Sequence, residues 1–102
     1  MPNYEDLFRD RVVRPNLEAR GAVVVLVPKT RYGRSGVSDL LACYCGHFIA
    51  IECKSPQGGS YGLTPTQSDF LESVRKADGY TVVARTWEEV ERVLDAIDRS
   101  EY

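Results

Sequence analysis

With 102 residues, 43% of them hydrophobic and 27% charged, the chain has material for one globular domain with a single core, not for two. Its net charge of -2 argues against a protein that coats nucleic acid by bulk electrostatics, and its longest apolar run, residues 22–27, is far too short to span a membrane. The start Met1-Pro2-Asn3-Tyr4-Glu5-Asp6 lacks a signal peptide's basic and apolar regions, which makes a cytoplasmic protein the default expectation.

Tyr4, Leu7, Phe8, Val12 and Ala19 fall near helical spacing, which predicts a helix over residues 3–20, kinked or broken before Pro15 and ended by Gly21. Residues 22–27 form a β-branched run stopped by Pro28. An unalternating apolar strand is usually covered on both faces, so a central or near-central place in a sheet is expected. A polar, basic, glycine-containing loop follows over 29–36. If Cys45-Gly46 is a two-residue hairpin turn, strands over 38–44 and 47–53 pair so that Tyr44 meets His47, Cys43 meets Phe48 and Asp39 lies opposite Glu52. Alternation then places Asp39, Leu41, Cys43, Phe48, Ala50, Glu52 and Lys54 on one face. Leu40, Ala42, Tyr44, Ile49, Ile51 and Cys53 lie on the other. Both faces are mostly apolar, so helices should cover both.

Residues 55–62 read as a flexible glycine-containing loop. Thr64, Pro65 and Gln67 then spell a helix start, as cap, first helical residue and partner of a capping box. Phe70, Leu71, Val74 and Ala77 make the apolar stripe of that helix, and Gly79 stops it. A strand over 80–84 and a last helix capped by Thr86, with Trp87, Val90, Val93, Leu94 and Ile97 inward, complete a single α/β domain over 1–102 in the order α-β-β-β-α-β-α.

Residues 86–102 carry six acids and two bases, net -4, which leaves residues 1–85 at net +2. The acidic excess of the last helix reads as a solvated face. Bases gather at Arg9, Arg11 and Arg14, and at Lys29, Arg31 and Arg34 just ahead of Asp39, where they could position phosphates. Arg31 and Arg34 are the foremost phosphate contacts on this reading, and Tyr61 in the later loop could stack on a base. The three cysteines, an odd number without an export signal, do not suggest a disulfide framework. A zinc site from Cys43, Cys45, His47 and Cys53 matches no common ligand spacing, and alternation turns Cys53 away from Cys43; small apolar filler is the simpler reading.

Two carboxylates opposed in apolar strands repel, and a bound cation would remove that repulsion. Magnesium takes oxygen ligands and is typically held by one or two carboxylates together with substrate phosphates, which suits Asp39 and Glu52, with the backbone carbonyl of Cys53 as a third oxygen. Lys54, two residues beyond Glu52 on the same face, could orient or deprotonate a water and offset charge on a phosphate in reaction. Spacing alone leaves open both this metal site and a surface ladder of salt bridges, with the apolar Ile49, Ala50 and Ile51 counting against the ladder.

Ser38-Asp39 followed by Ile51-Glu52-Cys53-Lys54, within this order of elements, resembles the PD-(D/E)XK nuclease superfamily. The short chain, Gly36-Val37-Ser38-Asp39-Leu40 and Leu63-Thr64-Pro65-Thr66-Gln67 look like a stand-alone VRR-NUC domain of the phage type, related to Holliday-junction resolvases. That resemblance implies a three-layer restriction-endonuclease-like fold with a mixed central sheet flanked by helices. It also implies a structure-specific DNA endonuclease using Mg2+, with Mn2+ as a substitute and no nucleotide cofactor, working in the cytoplasm of a bacterial host. Asp39 and Glu52 would be the metal ligands and Lys54 the catalytic lysine. Glu5 would support the metal directly or through water, and Gln67 would lie at the active site, where its capping role either competes or coexists. Ser38 stands where the family often has proline. A resolvase cuts two symmetry-related strands, so a homodimer is expected. Alternatives are a restriction-like or repair nuclease acting on linear, nicked or flap DNA, and a catalytically silent nucleic-acid-binding module.

Overall fold

The computed structural model describes residues 3–28, 36–58 and 62–100. Helices α1 (Tyr4–Phe8) and α2 (Arg14–Ala19) are joined without a break by a π-helical turn (Arg9–Val13). Then follow β1 (Val23–Leu26), β2 (Leu40–Tyr44), β3 (His47–Cys53), α3 (Pro65–Lys76), β4 (Tyr80–Ala84) and α4 (Trp87–Ser100), in the order expected from the sequence. Asn3 caps the first helix by accepting the Asp6 N–H at 2.7 Å. The irregularity expected before Pro15 is the π turn, in which the Arg14 N–H donates to the Arg9 carbonyl five residues back. A wider turn relieves the clash a proline ring makes with the carbonyl four residues earlier. Gly21, at φ +95°, ends the path. Its N–H reaches the Glu18 carbonyl and that of Ala22 the Leu17 carbonyl, each at 3.0 Å, the paired bonds of a Schellman end.

The sheet runs β1-β2-β3-β4, antiparallel except for the parallel β3–β4 pair. Cys45 and Gly46 both have positive φ, +49° and +80°, as a type I′ hairpin turn requires. The register follows from that turn, with Tyr44 opposite His47 and Leu40 opposite Ile51. Alternation sorts the side chains as the pairing demands. Leu40, Ala42, Tyr44, Ile49, Ile51 and Cys53 join Phe8, Val13 and Leu17 of the N-terminal helix and Val90, Leu94 and Ile97 of α4 in the larger core. On the other face Ala50, with Leu41 and Val83, packs under Phe70, Leu71 and Val74 of α3. The Thr64 capping box of α3 is present with both of its hydrogen bonds. Among the described residues no helix is long and apolar enough to cross a membrane.

β1 is an edge strand, not the central or near-central one its apolar run suggests. Val24 enters the larger core, whereas Val23 and Val25 point to the face on which α3 packs over Leu41, Ala50 and Val83 of the other strands, and remain 70% and 55% exposed. A run of valines carries the same local signal whether one or two of its faces are buried, so its place in the sheet had to come from long-range pairing.

The acids of α4 are likewise more than a solvated face. Glu91, Asp95 and Asp98 converge on Arg20 at the end of α2, at 3.5, 3.3 and 3.0 Å. The Tyr44 hydroxyl donates to Asp98 at 2.8 Å, and the guanidinium lies over the Tyr44 ring, 5.7 Å from its centroid. This ties α2, the end of β2 and α4 together. Because the acids are about half exposed, Arg20→Ala is expected to cost about 1 kcal/mol in urea denaturation rather than the several of a buried pair. The bond to Asp98 raises Tyr44 above the ordinary tyrosine range. A raised native pKa means a contribution present below the unfolded value and lost as pH climbs through the folded one. Alkaline melts should therefore fall more steeply for the wild type than for Tyr44→Phe.

Candidate metal centre

Asp39 immediately precedes β2, and Glu52 is the penultimate residue of β3; they are only 5% and 2% exposed. The Asp39 backbone carbonyl accepts the Val27 N–H at 2.9 Å, and its Oδ2 accepts the Cys53 N–H at 2.8 Å. The carboxylate is thus pinned across the start of the hairpin, beside Glu52. Glu5, on the first turn of α1, completes the group. One oxygen from each of Glu5, Asp39 and Glu52 can be chosen so that all three lie within 4.8 Å of one another. Three segments far apart in sequence therefore meet at one end of the sheet.

Gln67 caps α3 and contacts Glu52 at the same time. Its Oε1 accepts the Thr64 N–H at 2.9 Å while its Nε2 donates to Glu52 Oε1 at 3.3 Å. The capping box holds the amide, and the amide holds the carboxylate. Gly36 sets the height of this helix start over the hairpin. At φ +81°, a Cβ built on Gly36 would lie 2.4 Å from the carbonyl carbon and oxygen of Thr66 and 2.8 Å from the nitrogen of Gln67.

Lys54 follows β3 directly, is half-buried, and donates its N–H to the Ala84 carbonyl at 2.8 Å. Strand alternation puts its side chain on the face of Glu52. N–H and C=O of one strand residue project to the same edge, so the Cys53 carbonyl lies on the side where its N–H meets Asp39. The Cys53 thiol belongs to the larger core, where burial pushes its pKa far up and the charges of Asp39 and Glu52 add to the shift. Cys43 and Cys45 are exposed, and the acidic trio is the metal-compatible grouping among the described residues, which leaves the cysteine–histidine set without support. Lys29, Arg31, Arg34 and Tyr61, the expected nucleic-acid contacts, lie outside the described residues.

No family model matches the chain, and no curated protein matches it. Three carboxylates and a neighbouring backbone carbonyl offer hard oxygen donors of the kind magnesium or manganese takes, with two of the three acids almost wholly removed from water. Such charges are costly to bury without a compensating cation.

Arg9 is the residue that pattern reading passed over here, having been noted only as one of a group of bases. It lies four residues after Glu5 on the same helical face, within the charge field of Asp39. That spacing was the available signal. Ser38, next to Asp39, is buried, and its Oγ has no hydrogen-bond partner among the described residues. Removing an unsatisfied hydroxyl recovers part of its desolvation cost, so Ser38→Ala is expected to stabilise the fold by about 1 kcal/mol. A raised midpoint in thermal or urea unfolding, with metal affinity unchanged, is the expected result.

Proposed function

We propose that the chain is a magnesium-dependent endonuclease acting on DNA, most readily on branched structures, with the restriction-endonuclease-like arrangement of the VRR-NUC domains it resembles. The observation that carries this reading is the meeting of Glu5, Asp39 and Glu52 oxygens within 4.8 Å of one another. Helices on both faces of a mixed sheet, and Gln67 bonded to Glu52, are what that arrangement calls for.

On this reading Asp39, Glu52 and the Cys53 carbonyl would hold the metal, with Glu5 as direct or water-bridged support. Magnesium, when bound, polarises the phosphoryl oxygen and makes water a better nucleophile at neutral pH. The chain's own groups do the rest. Gln67 fixes the rotation of the Glu52 carboxylate. Lys54 offers an ammonium that orients the attacking water and offsets negative charge building on the phosphate. Burial of Asp39 and Glu52 limits the screening of their charge by bulk water. Two copies of the site in a homodimer would suit a symmetric junction.

Four-way junction, flap, nicked and linear duplex DNA of one sequence, incubated with magnesium, manganese or EDTA, test the proposal beside Lys54→Ala. Metal-dependent cuts, fastest on the junction and lost in the variant, are expected. Equal cleavage by wild type and Lys54→Ala would remove Lys54 from the chemistry, and a preference for linear duplex would move the substrate to the restriction-like class. Absence of cleavage on every substrate would reject the nuclease reading.

A further inference from the structure

Arg9 lies one helical turn after Glu5, its backbone N–H bonded to the Glu5 carbonyl, with its side chain only 18% exposed and its guanidinium engaged as it would be by a phosphate. Its Nε donates to Asp10 Oδ1 at 2.8 Å and its NH2 to Asp10 Oδ2 at 3.0 Å, two parallel bonds to one planar acceptor. NH1 reaches Asp6 Oδ1 at 3.1 Å. The two contacts differ in kind. Asp6 is an i,i+3 neighbour, the spacing at which helix side chains meet, and it braces the guanidinium from its own helix. Asp10 is the next residue in the chain. Adjacent helix residues do not face each other, so this chelate requires the Arg9 and Asp10 side chains to turn toward one another along the helix surface. Asp10 is also 48% exposed, so another anion can reach the fork from solvent.

We infer that Arg9 is a ligand for a backbone phosphate of the nucleic-acid substrate, and that Asp10 occupies its fork until that phosphate displaces it. The inference rests on the nuclease reading, and adds to it a contact that neither the motif nor the loop bases supply. Guanidinium forks match phosphate and carboxylate in the same bidentate manner, so Asp10 stands in for the ligand. A phosphate held there lies one helical turn from Glu5, on the path a strand would take if its scissile bond is to reach the metal ligands. Asp6 keeps the guanidinium aimed while the partner on the fork changes.

The test is binding of a synthetic four-way junction by the full chain across a salt series, in the Lys54→Ala background with calcium in place of magnesium to separate binding from cleavage. Arg9→Gln is expected to weaken binding several-fold and to reduce the slope of log affinity against log salt by about 0.9, the loss of one phosphate contact. Asp10→Asn is expected to tighten binding. That gain should shrink when Arg9→Gln is also present, because the vacated fork is what profits from losing Asp10. Unchanged affinity and slope in Arg9→Gln, or the same gain from Asp10→Asn in both backgrounds, would overturn the inference and leave the nuclease reading standing. Failure of the parent protein to bind the junction or a duplex would reject both together. A bracing role for Arg9 alone would lower the unfolding midpoint without moving the salt slope, so it too counts against the proposal.

Discussion

Asp39→Asn is expected to lose at least ~10³-fold of magnesium-dependent cleavage while making the metal-free protein more stable. The two effects have one cause. Three carboxylate oxygens within 4.8 Å of one another repel in the absence of a cation. At an effective dielectric constant of about 20 that repulsion is on the order of 3 kcal/mol for each pair. If the centre is a metal site, a bound cation offsets this repulsion. Asparagine keeps an oxygen to accept the Cys53 N–H, now held at 2.8 Å, so the hairpin start need not move. It removes one of the charges that repel, and with it much of the attraction for a divalent ion. In EDTA the melting temperature of Asp39→Asn should therefore lie above that of the wild type. Added magnesium should reverse the order, since only a protein that binds the ion gains stability from it, by about 2.7 kcal/mol at a hundredfold excess over the dissociation constant. Calorimetric titration should show binding to the wild type and a large loss in the variant. If instead magnesium leaves the wild-type melting temperature unmoved and Asp39→Asn melts lower in EDTA, the acids are a structural pair, and the nuclease reading loses its foundation.

The parts of this architecture that were legible beforehand are those whose rules are local. A two-residue turn at Cys45-Gly46 sets the register of its hairpin, and the period of two then sorts each side chain to a face. For that reason the positions of Leu40, Ala50 and Glu52 could be counted outward from the turn. The start of α3 was legible for a similar reason: Thr64, Pro65 and Gln67 each satisfy a backbone need within one helical turn. What could not be counted was anything decided by distant segments. Val23, Val24 and Val25 read alike although only Val24 is buried, because strand order depends on which partners arrive on each side. The Arg20 cluster links residues more than seventy positions apart, and the acids of α4 look the same in sequence whether they face water or a guanidinium. The centre itself lies between these cases. Asp39 and Glu52 come together by hairpin counting, whereas Glu5 was named through resemblance, and its approach to the other two depends on packing of α1 against the sheet. Arg9 was hidden by the same dependence.

Gly36→Ala tests whether close packing of α3 over the hairpin sets the geometry of the centre, and it is expected to cost about 2–4 kcal/mol of stability together with most of the metal-dependent activity. Two penalties combine. Alanine at φ +81° is disfavoured by about 1–2 kcal/mol, and its Cβ would sit 2.4 Å from the Thr66 carbonyl group, a separation that atoms do not sustain. The obstacle is backbone of the first turn of α3, which has no rotamer to change. Either the segment before Asp39 or the start of the helix must retreat. Both routes damage the same place, since Gly36 leads through Val37 and Ser38 to Asp39, and Thr66 is followed by Gln67, the donor to Glu52. Gly21→Ala provides the comparison. Gly21 also has positive φ, +95°, but a Cβ there meets nothing within 4 Å. It should pay the conformational penalty alone and keep magnesium affinity unchanged. If close packing against α3 governs the centre, Gly36→Ala will lose both stability and metal affinity while Gly21→Ala loses only about 1–2 kcal/mol of stability. Equal losses in the two variants, with metal affinity intact in both, would mean that the helix start shifts without consequence for Glu52, and that Gln67 holds its carboxylate through adaptable contacts rather than through the fixed height of α3 over the hairpin.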